Sequence, residues 1–241
     1  MVILMGLFDR FRKPKWKHKD WKARLEAAKE LDEQEIWVDI AKNDPEWRLR
    51  ESAVYRISDE SALADVAKNA SSSKVRQEAV KKIKDESVLI DIAKNASDVD
   101  IRCEAVKKIN DESVLIDIAK NAPNWSVRRS AVYRISDESV LIDIAKNDSE
   151  WEVRKEAVER ISDESVLYDI AIGDEYCEIE TKRVWIEGRG EEVFPTREYW
   201  PVREAAIKKM NDKSLLNSIA KNDSMRHYLR NKAMKRLEML N

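Results

Sequence analysis

Glycine and proline are scarce in this chain: 4 and 5 residues out of 241, where soluble proteins average about 12% for the two together. That shortage excludes turn-rich all-β folds and enzymes built on glycine-rich phosphate loops. Cysteine is nearly absent, with only Cys103 and Cys177. Two such residues cannot form a disulfide framework, so a reducing cytoplasm is the simplest setting. There are two histidines, His18 and His227, and neither has a second His, Cys or carboxylate at metal-ligand spacing. Excess charge of one sign is missing as well, since 45 Lys+Arg face 47 Asp+Glu. No run approaches the ~18 apolar residues of a membrane span, and the opening stretch becomes charged too early for a signal peptide. Disorder is excluded from the other side, because 43% of the residues are hydrophobic.

What is present is a repeat. The segment SDESVLIDIAKN recurs with its first Asp at Asp59, Asp85, Asp111, Asp137 and Asp163, a period of 26. Glu33 opens a diverged earlier copy. Asp212 opens a last one, 49 residues after Asp163, which is one period plus an insertion of 23. A second segment of the form VRxEAVxxI follows each copy, with its arginine at Arg50, Arg76, Arg102, Arg128, Arg154, Arg203 and Arg230, and one more, at Arg24, precedes the first copy. Val153, Ala157, Val158 and Ile161 follow the i, i+4, i+5, i+8 spacing of one helical stripe. The first segment, such as 140–145, is apolar almost all round, which suits a short helix wedged between neighbours. Ser136-Asp137 and Asn110-Asp111 supply N-caps for first helices, and Asp44-Pro45 and Asp148-Ser149 are expected to cap second helices. Two short helices cannot bury their own apolar face and must stack on copies of themselves. The expected architecture is therefore an all-α solenoid of about seven helix pairs behind a leading helix over 21–31.

The column of Asn or Asp, a proline-tolerant turn, and then Val-Arg-x-x-Ala-Val resembles the HEAT repeat, in its short HEAT-like form. The resemblance covers about residues 21–238 less the insertion, and 26 residues is short for that family. It implies an armadillo-like superhelix in one elongated domain over 21–241. In the family this arginine bonds an acidic residue in the interhelical turn. Here the matching column is mainly Asn43, Asn69, Asn95, Asn121, Asn147 and Asn222. Arg50, Arg76, Arg102, Arg128, Arg154 and Arg203 are therefore read as a half-buried structural ladder bonded to Asn and carbonyl groups. Some HEAT-like proteins are His-Glu di-iron hydroxylases, but His18 is followed by Lys19 and His227 by Tyr228, so that activity does not carry over. Others are glycosylases for alkylated DNA bases, and no residue of this chain matches theirs individually.

Repeated Asp39, Asp65, Asp91, Asp117, Asp143 and Asp169, with Lys three places on in most copies, read as solvated i, i+3 pairs. Copying one carboxylate into every repeat argues against an active site, which is needed once. Arg56, Lys82, Lys108, Arg134, Arg160, Lys209 and Arg236 close the second helices. They read as dipole compensation, with a phosphate-tracking stripe as the alternative. Aromatic residues break the monotony. Trp47, Trp125, Trp151 and Trp200 share one column, and Tyr55 and Tyr133 lie eight residues after the first two, beside Arg129 in the second case. Large rigid rings on an exposed edge suit a protein or peptide partner.

Residues 174–200 interrupt the array. Their alternating pattern, with the Gly188-Arg189-Gly190 turn, predicts a β-hairpin-like arm. Eight acidic residues outnumber four basic ones in it, and Trp185 and Arg189 are its candidate contacts. Residues 1–20 form a basic amphipathic segment that caps the first repeat or, alternatively, contacts an anionic membrane. The sequence thus points to a monomeric, non-catalytic, cytoplasmic protein-binding scaffold without metal or cofactor. Its partner-binding candidates are Trp47, Tyr55, Trp125, Arg129, Tyr133, Trp151, Trp185, Arg189 and Trp200. The alternative is a nucleic-acid-binding or base-excising HEAT-like protein.

Overall fold

The structure is a computed structural model that describes residues 15–173, 178–186 and 190–241, with side chains left out over 178–199. The expected membrane-contacting segment therefore lies almost wholly outside the described residues, as does Arg189. Fifteen α-helices run through the described residues, and consecutive helices pack as pairs. The chain divides into two compact units, Met1–Asn110 and Asp111–Asn241. Among the described residues no helix is long and apolar enough to cross a membrane.

In the first unit a leading helix, α1 (Trp21–Leu31), is followed by three pairs. These are α2 (Gln34–Asn43) with α3 (Trp47–Arg56), α4 (Glu60–Asn69) with α5 (Ser73–Lys82), and α6 (Glu86–Asn95) with α7 (Val99–Val106). First helices pack on first helices of the adjoining pair, and second on second. The second unit holds four pairs. They are α8 (Glu112–Asn121) with α9 (Trp125–Val132), α10 (Glu138–Asn147) with α11 (Trp151–Val158), α12 (Glu164–Ile172) with α13 (Pro201–Lys209), and α14 (Lys213–Lys221) with α15 (His227–Met239). Between α12 and α13, β1 (Glu178–Ile186) and β2 (Gly190–Tyr199) pair antiparallel, with a register shift at Glu180/Thr181.

The periodic apolar letters form the core. Val153, Ala157, Val158 and Ile161 are all buried, and so are their counterparts Val75, Ala79, Val80 and Ile83 one unit earlier. The first helices bury a single face, Leu141, Ile144 and Ala145 in α10, while Val140 and Ile142 stay half-buried. Each buried Leu, Ile or Val contributes roughly 1.5–3 kcal/mol, and the repeat supplies several per pair. The helices begin where an acceptor is available. Asp59, Asp85, Asp111, Asp137 and Asp163 accept from backbone N–H groups of the first turn, and a serine two residues on donates to the same carboxylate in Asp137 and Asp163. These hydroxyl and backbone donors hold the five carboxyls below the usual carboxylate range.

Second helices start differently from the sequence expectation. Glu46 and Glu150 are the N-caps of α3 and α11, whereas Asp44 and Asp148 close the preceding first helices. The two aspartates have another task. Asp148 accepts from Arg128 Nε at 2.8 Å and Nη2 at 2.9 Å, and Asp44 accepts from Arg24 in the same bidentate way. Both carboxylate oxygens are engaged in the fork, and in each case Oδ1 accepts a second hydrogen bond, from the backbone N–H two residues on, at Glu150 and Glu46.

Candidate interaction site

The repeated polar columns bond chiefly to neighbouring repeats, and that decides which surface is left for anything else. Within the first unit Lys42 Nζ lies 2.8 Å from Asp65 of the next pair, and Lys68 bonds Asp91 likewise. In the second unit Lys120 lies 2.8 Å from Asp143. The expected i, i+3 pairs are thus replaced by bonds between repeats. The other oxygen of each aspartate accepts from the Asn four residues on, as in Asn69 to Asp65 at 2.7 Å and Asn147 to Asp143 at 2.8 Å. Lys42 and Asn69 together hold the Asp65 carboxyl below its ordinary range against the opposing effect of burial.

With its amide engaged there, the Asn column is not the partner of the arginine ladder. Arg50, Arg76, Arg102, Arg128 and Arg154 instead each donate from Nη1 to the carbonyl six residues back, at 2.6, 2.7, 3.2, 3.0 and 2.8 Å. Arg203 reaches the Ala171 carbonyl at 2.7 Å. Arg24, Arg76 and Arg128 add a carboxylate from the following pair, Asp44, Asp98 and Asp148. These guanidinium groups, buried at Arg24, Arg128, Arg154 and Arg203 and half-buried at Arg50, Arg76 and Arg102, organise the turns.

The basic residues that end the second helices point backward along their unit. Lys82 Nζ donates to the carbonyls of Val54, Tyr55 and Ile57 at 2.9, 2.9 and 2.6 Å. Lys108 serves Val80, Lys81 and Ile83 in the same manner. Arg160 bonds the Ile135 carbonyl, Lys209 that of Glu159 and Arg236 that of Met210. They do compensate a helix terminus, but it is the neighbour's. A ladder of glutamates does the reverse job. Glu60, Glu112 and Glu138 accept from the backbone N–H groups that lead into the next first helix, at Lys84, Ser136 and Ser162.

The large apolar side chains that stay in solvent on the second helices are chiefly aromatic. In the first unit Trp47 is 49% and Tyr55 65% exposed. The Arg48 guanidinium stands 4.9 Å and the Lys74 ammonium 5.8 Å from the Trp47 ring centroid. In the second unit Trp125, Arg129 and Tyr133 form an exposed i, i+4, i+8 stripe on α9. Arg129 pairs with Glu156 at 2.9 Å, and Arg160 lies 5.7 Å from the Tyr133 ring. Trp151 is half-buried. Contacts of this kind hold a ring in place without covering it.

Trp200 departs from its column. Only 7% of it is exposed, it precedes Pro201 at the start of α13, and it stacks on Tyr228 with ring centroids 6.2 Å apart. It is therefore a core residue and leaves the set of candidate contacts. The physical reason is its neighbour: Tyr228 stands one residue after the His227 that holds the tryptophan position of the last repeat. Trp185 lies on β1, with its side chain outside the described residues.

The same corner contains a cluster that sequence reasoning missed. Glu204 accepts from Lys208 and Lys232, both at 2.7 Å, and from the Tyr228 hydroxyl. Burial pushes its carboxyl up, but the three donors outweigh that and bring it down to about 2. Its residues come from two helices 24 to 28 places apart in sequence, and no local motif marks them. Glu204 also lines a cleft of about 310 Å³ with Lys155, Glu159, Pro201, Ala205, Lys208 and Lys209. Each lysine there already has an acidic or carbonyl partner. The cluster, two lysines and a tyrosine on one carboxylate, fastens α13 to α15. Compared with known proteins, no family model matches this chain, and no curated protein is similar to it in sequence.

Proposed function

We propose that this chain is a non-catalytic protein-binding scaffold of the HEAT-like kind, working in the cytoplasm. Its exposed second-helix edges, with Trp47 and Tyr55 in one unit and Trp125, Arg129, Tyr133 and Trp151 in the other, meet the partner. The segment 174–200 serves as a hairpin arm that adds Trp185 and Arg189. One observation carries the reading: large rings stay in solvent on second helices whose periodic C-terminal cations, such as Lys82 and Lys108, are already bonded to the preceding repeat. Exposed Trp and Tyr are the side chains that dominate protein hot spots, because they bury large areas at small entropic cost.

The nucleic-acid alternative is weakened by the same bonds. Lys82, Lys108, Arg160, Lys209 and Arg236, the cations spaced to follow phosphates, donate to backbone carbonyls. The full-length Trp125→Ala/Tyr133→Ala variant tests the reading. It should keep its circular dichroism spectrum and melting temperature and lose the cross-linked protein partner that the unaltered chain captures from cell extract. Two hot-spot side chains at about 2 kcal/mol each predict loss of nearly all binding. Unfolding of that variant, or salt-dependent binding of a labelled oligonucleotide by the unaltered chain, would overturn it.

A further inference from the structure

The chain is almost neutral as a whole, but its second-helix surface is not. On α3, α5 and α7 the exposed charged residues are Arg48, Arg56, Lys74 and Lys81 against Asp100 alone. The asymmetry comes from how the ion pairs stand. Lys74 is 62% exposed while its partner Glu51 is 26%, and Lys81 is 61% exposed against 23% for Glu78. Each glutamate lies close to the helix surface and holds a lysine above it. On the first helices the order reverses, with Lys42 at 25% and Asp65 at 40%. The outward excess of cations in this unit therefore belongs to the second helices, which also carry Trp47 and Tyr55.

We propose that this surface of the Met1–Asn110 unit docks an acidic peptide segment that carries two apolar side chains about four residues apart. Its carboxylates meet Arg48, Lys74 and Lys81, and its apolar groups cover Trp47 and Tyr55. The spacing follows from geometry. Eight residues of helix rise ~12 Å, a span covered by about four residues of extended chain. The Glu51 and Glu78 carboxylates hold the Lys74 and Lys81 ammonium groups above their ordinary range, so both remain charged at any physiological pH. Those carboxylates also decide between anions. A nucleic acid carries a charge every few ångströms and gains affinity by releasing counterions from uncompensated cations. Lysines already paired at 2.8 Å offer little of that. A peptide carboxylate instead adds one more acceptor to an exposed ammonium while its neighbour in sequence covers a ring. The second unit repeats the outward order at Arg129–Glu156 and Lys208–Glu204.

This deepens the scaffold reading and rests on it. The test uses the full chain and a fluorescein-labelled peptide of about ten residues, mostly Asp and Glu, with two Leu four apart. A Leu→Ser version, a version with Lys in place of the acids, and an oligothymidylate serve as comparison probes, all followed by fluorescence anisotropy. The acidic Leu peptide is expected to bind best and to weaken as salt rises. Trp47→Ala/Tyr55→Ala should cut its affinity at least tenfold, and Lys74→Gln/Lys81→Gln about three- to tenfold, with the helical spectrum of both variants unchanged. Absence of binding, equal binding of the lysine peptide, stronger binding of the oligothymidylate, or indifference to both double variants would overturn it. If partner capture through Trp125 and Tyr133 nevertheless succeeds, the scaffold reading stands and only the acidic chemistry of the partner fails.

Discussion

Lys82 offers the cleanest measurement of what holds neighbouring repeats together. Its ammonium takes three carbonyls at the C-terminus of α3, those of Val54, Tyr55 and Ile57; the Ile57 N–H shares the Val54 carbonyl, and helix ends otherwise leave such carbonyls short of donors. In Lys82→Met the stem keeps its packing while the donors and the charge disappear. A hydrogen bond with one ionised partner contributes roughly 1.5–3 kcal/mol net, and loss of a cation at a helix C-terminus costs roughly 0.3–1 kcal/mol more. Water can reach the more open Tyr55 carbonyl, and methionine gives up less rotamer freedom than lysine, so the expected net loss is about 2 kcal/mol. The adjacent Lys81 is the control. It makes one exposed i, i+3 pair with Glu78, and Lys81→Met should cost no more than about 0.5 kcal/mol. Urea unfolding followed by circular dichroism should show a midpoint lower by roughly 1 M for Lys82→Met. Hydrogen exchange over residues 47–58 should rise in that variant and not in the control. Arginine occupies the equivalent place at Arg160 and Arg236, where it also donates to a preceding carbonyl. Lys82→Arg should therefore lie within about 0.5 kcal/mol of the unaltered chain. Equal midpoints for the two methionine variants would refute the bonding between repeats as a source of stability.

Two further outcomes follow from the buried charges. Arg128→Met strands the Asp148 carboxylate, which loses both arms of its fork, and should lower unfolding stability by about 3 kcal/mol in a denaturant titration; a loss under about 1 kcal/mol would mean that water replaces the guanidinium. Glu204 titrates near 4.5 when unfolded and about 2 when folded, so its contribution is present above pH 4.5 and is lost as pH falls toward 2. After discounting for solvent screening, the gap between the unaltered chain and Glu204→Gln should be about 1–2 kcal/mol at pH 7. It should shrink steadily below pH 4.5, and a gap that stays constant to pH 3 would contradict the assignment.

The helix pairs were legible because periodicity needs no partner information: a 26-residue recurrence of Val, Ala, Val and Ile determines which faces are buried. The starts of the first helices were legible to within a residue at Asn110-Asp111 and Ser136-Asp137, since a capping acceptor acts two or three residues away. The second-helix caps expected at Asp44 and Asp148 instead fall two residues later, at Glu46 and Glu150. Bonding between repeats was not legible. Lys42 stands three residues from Asp39 and 23 from Asp65, and in a perfect repeat both spacings recur in every copy, so sequence cannot choose between them. The arginine partner was half read. Its carbonyl lies one residue past the conserved-looking Asn column of the repeat, and a carbonyl has no letter. Trp47 and Trp125 were placed on an edge because their wheel position is a boundary. Trp200 shares that position and is buried, because only its repeat has a tyrosine from the next helix to stack upon it.

The inserted segment leaves these cross-ties in place. Glu164 still accepts from the backbone of Asn211, now 47 residues away where its counterparts span 24, and Lys209 still reaches Glu159 across 50. The difference of 23 is the length of the insertion itself. Gly173 and Trp200 are thus the two posts of a doorway in an otherwise closed wall, and what hangs in the opening can be exchanged without moving the masonry. A different peptide grafted there inherits cross-ties that bridge the opening and do not pass through it.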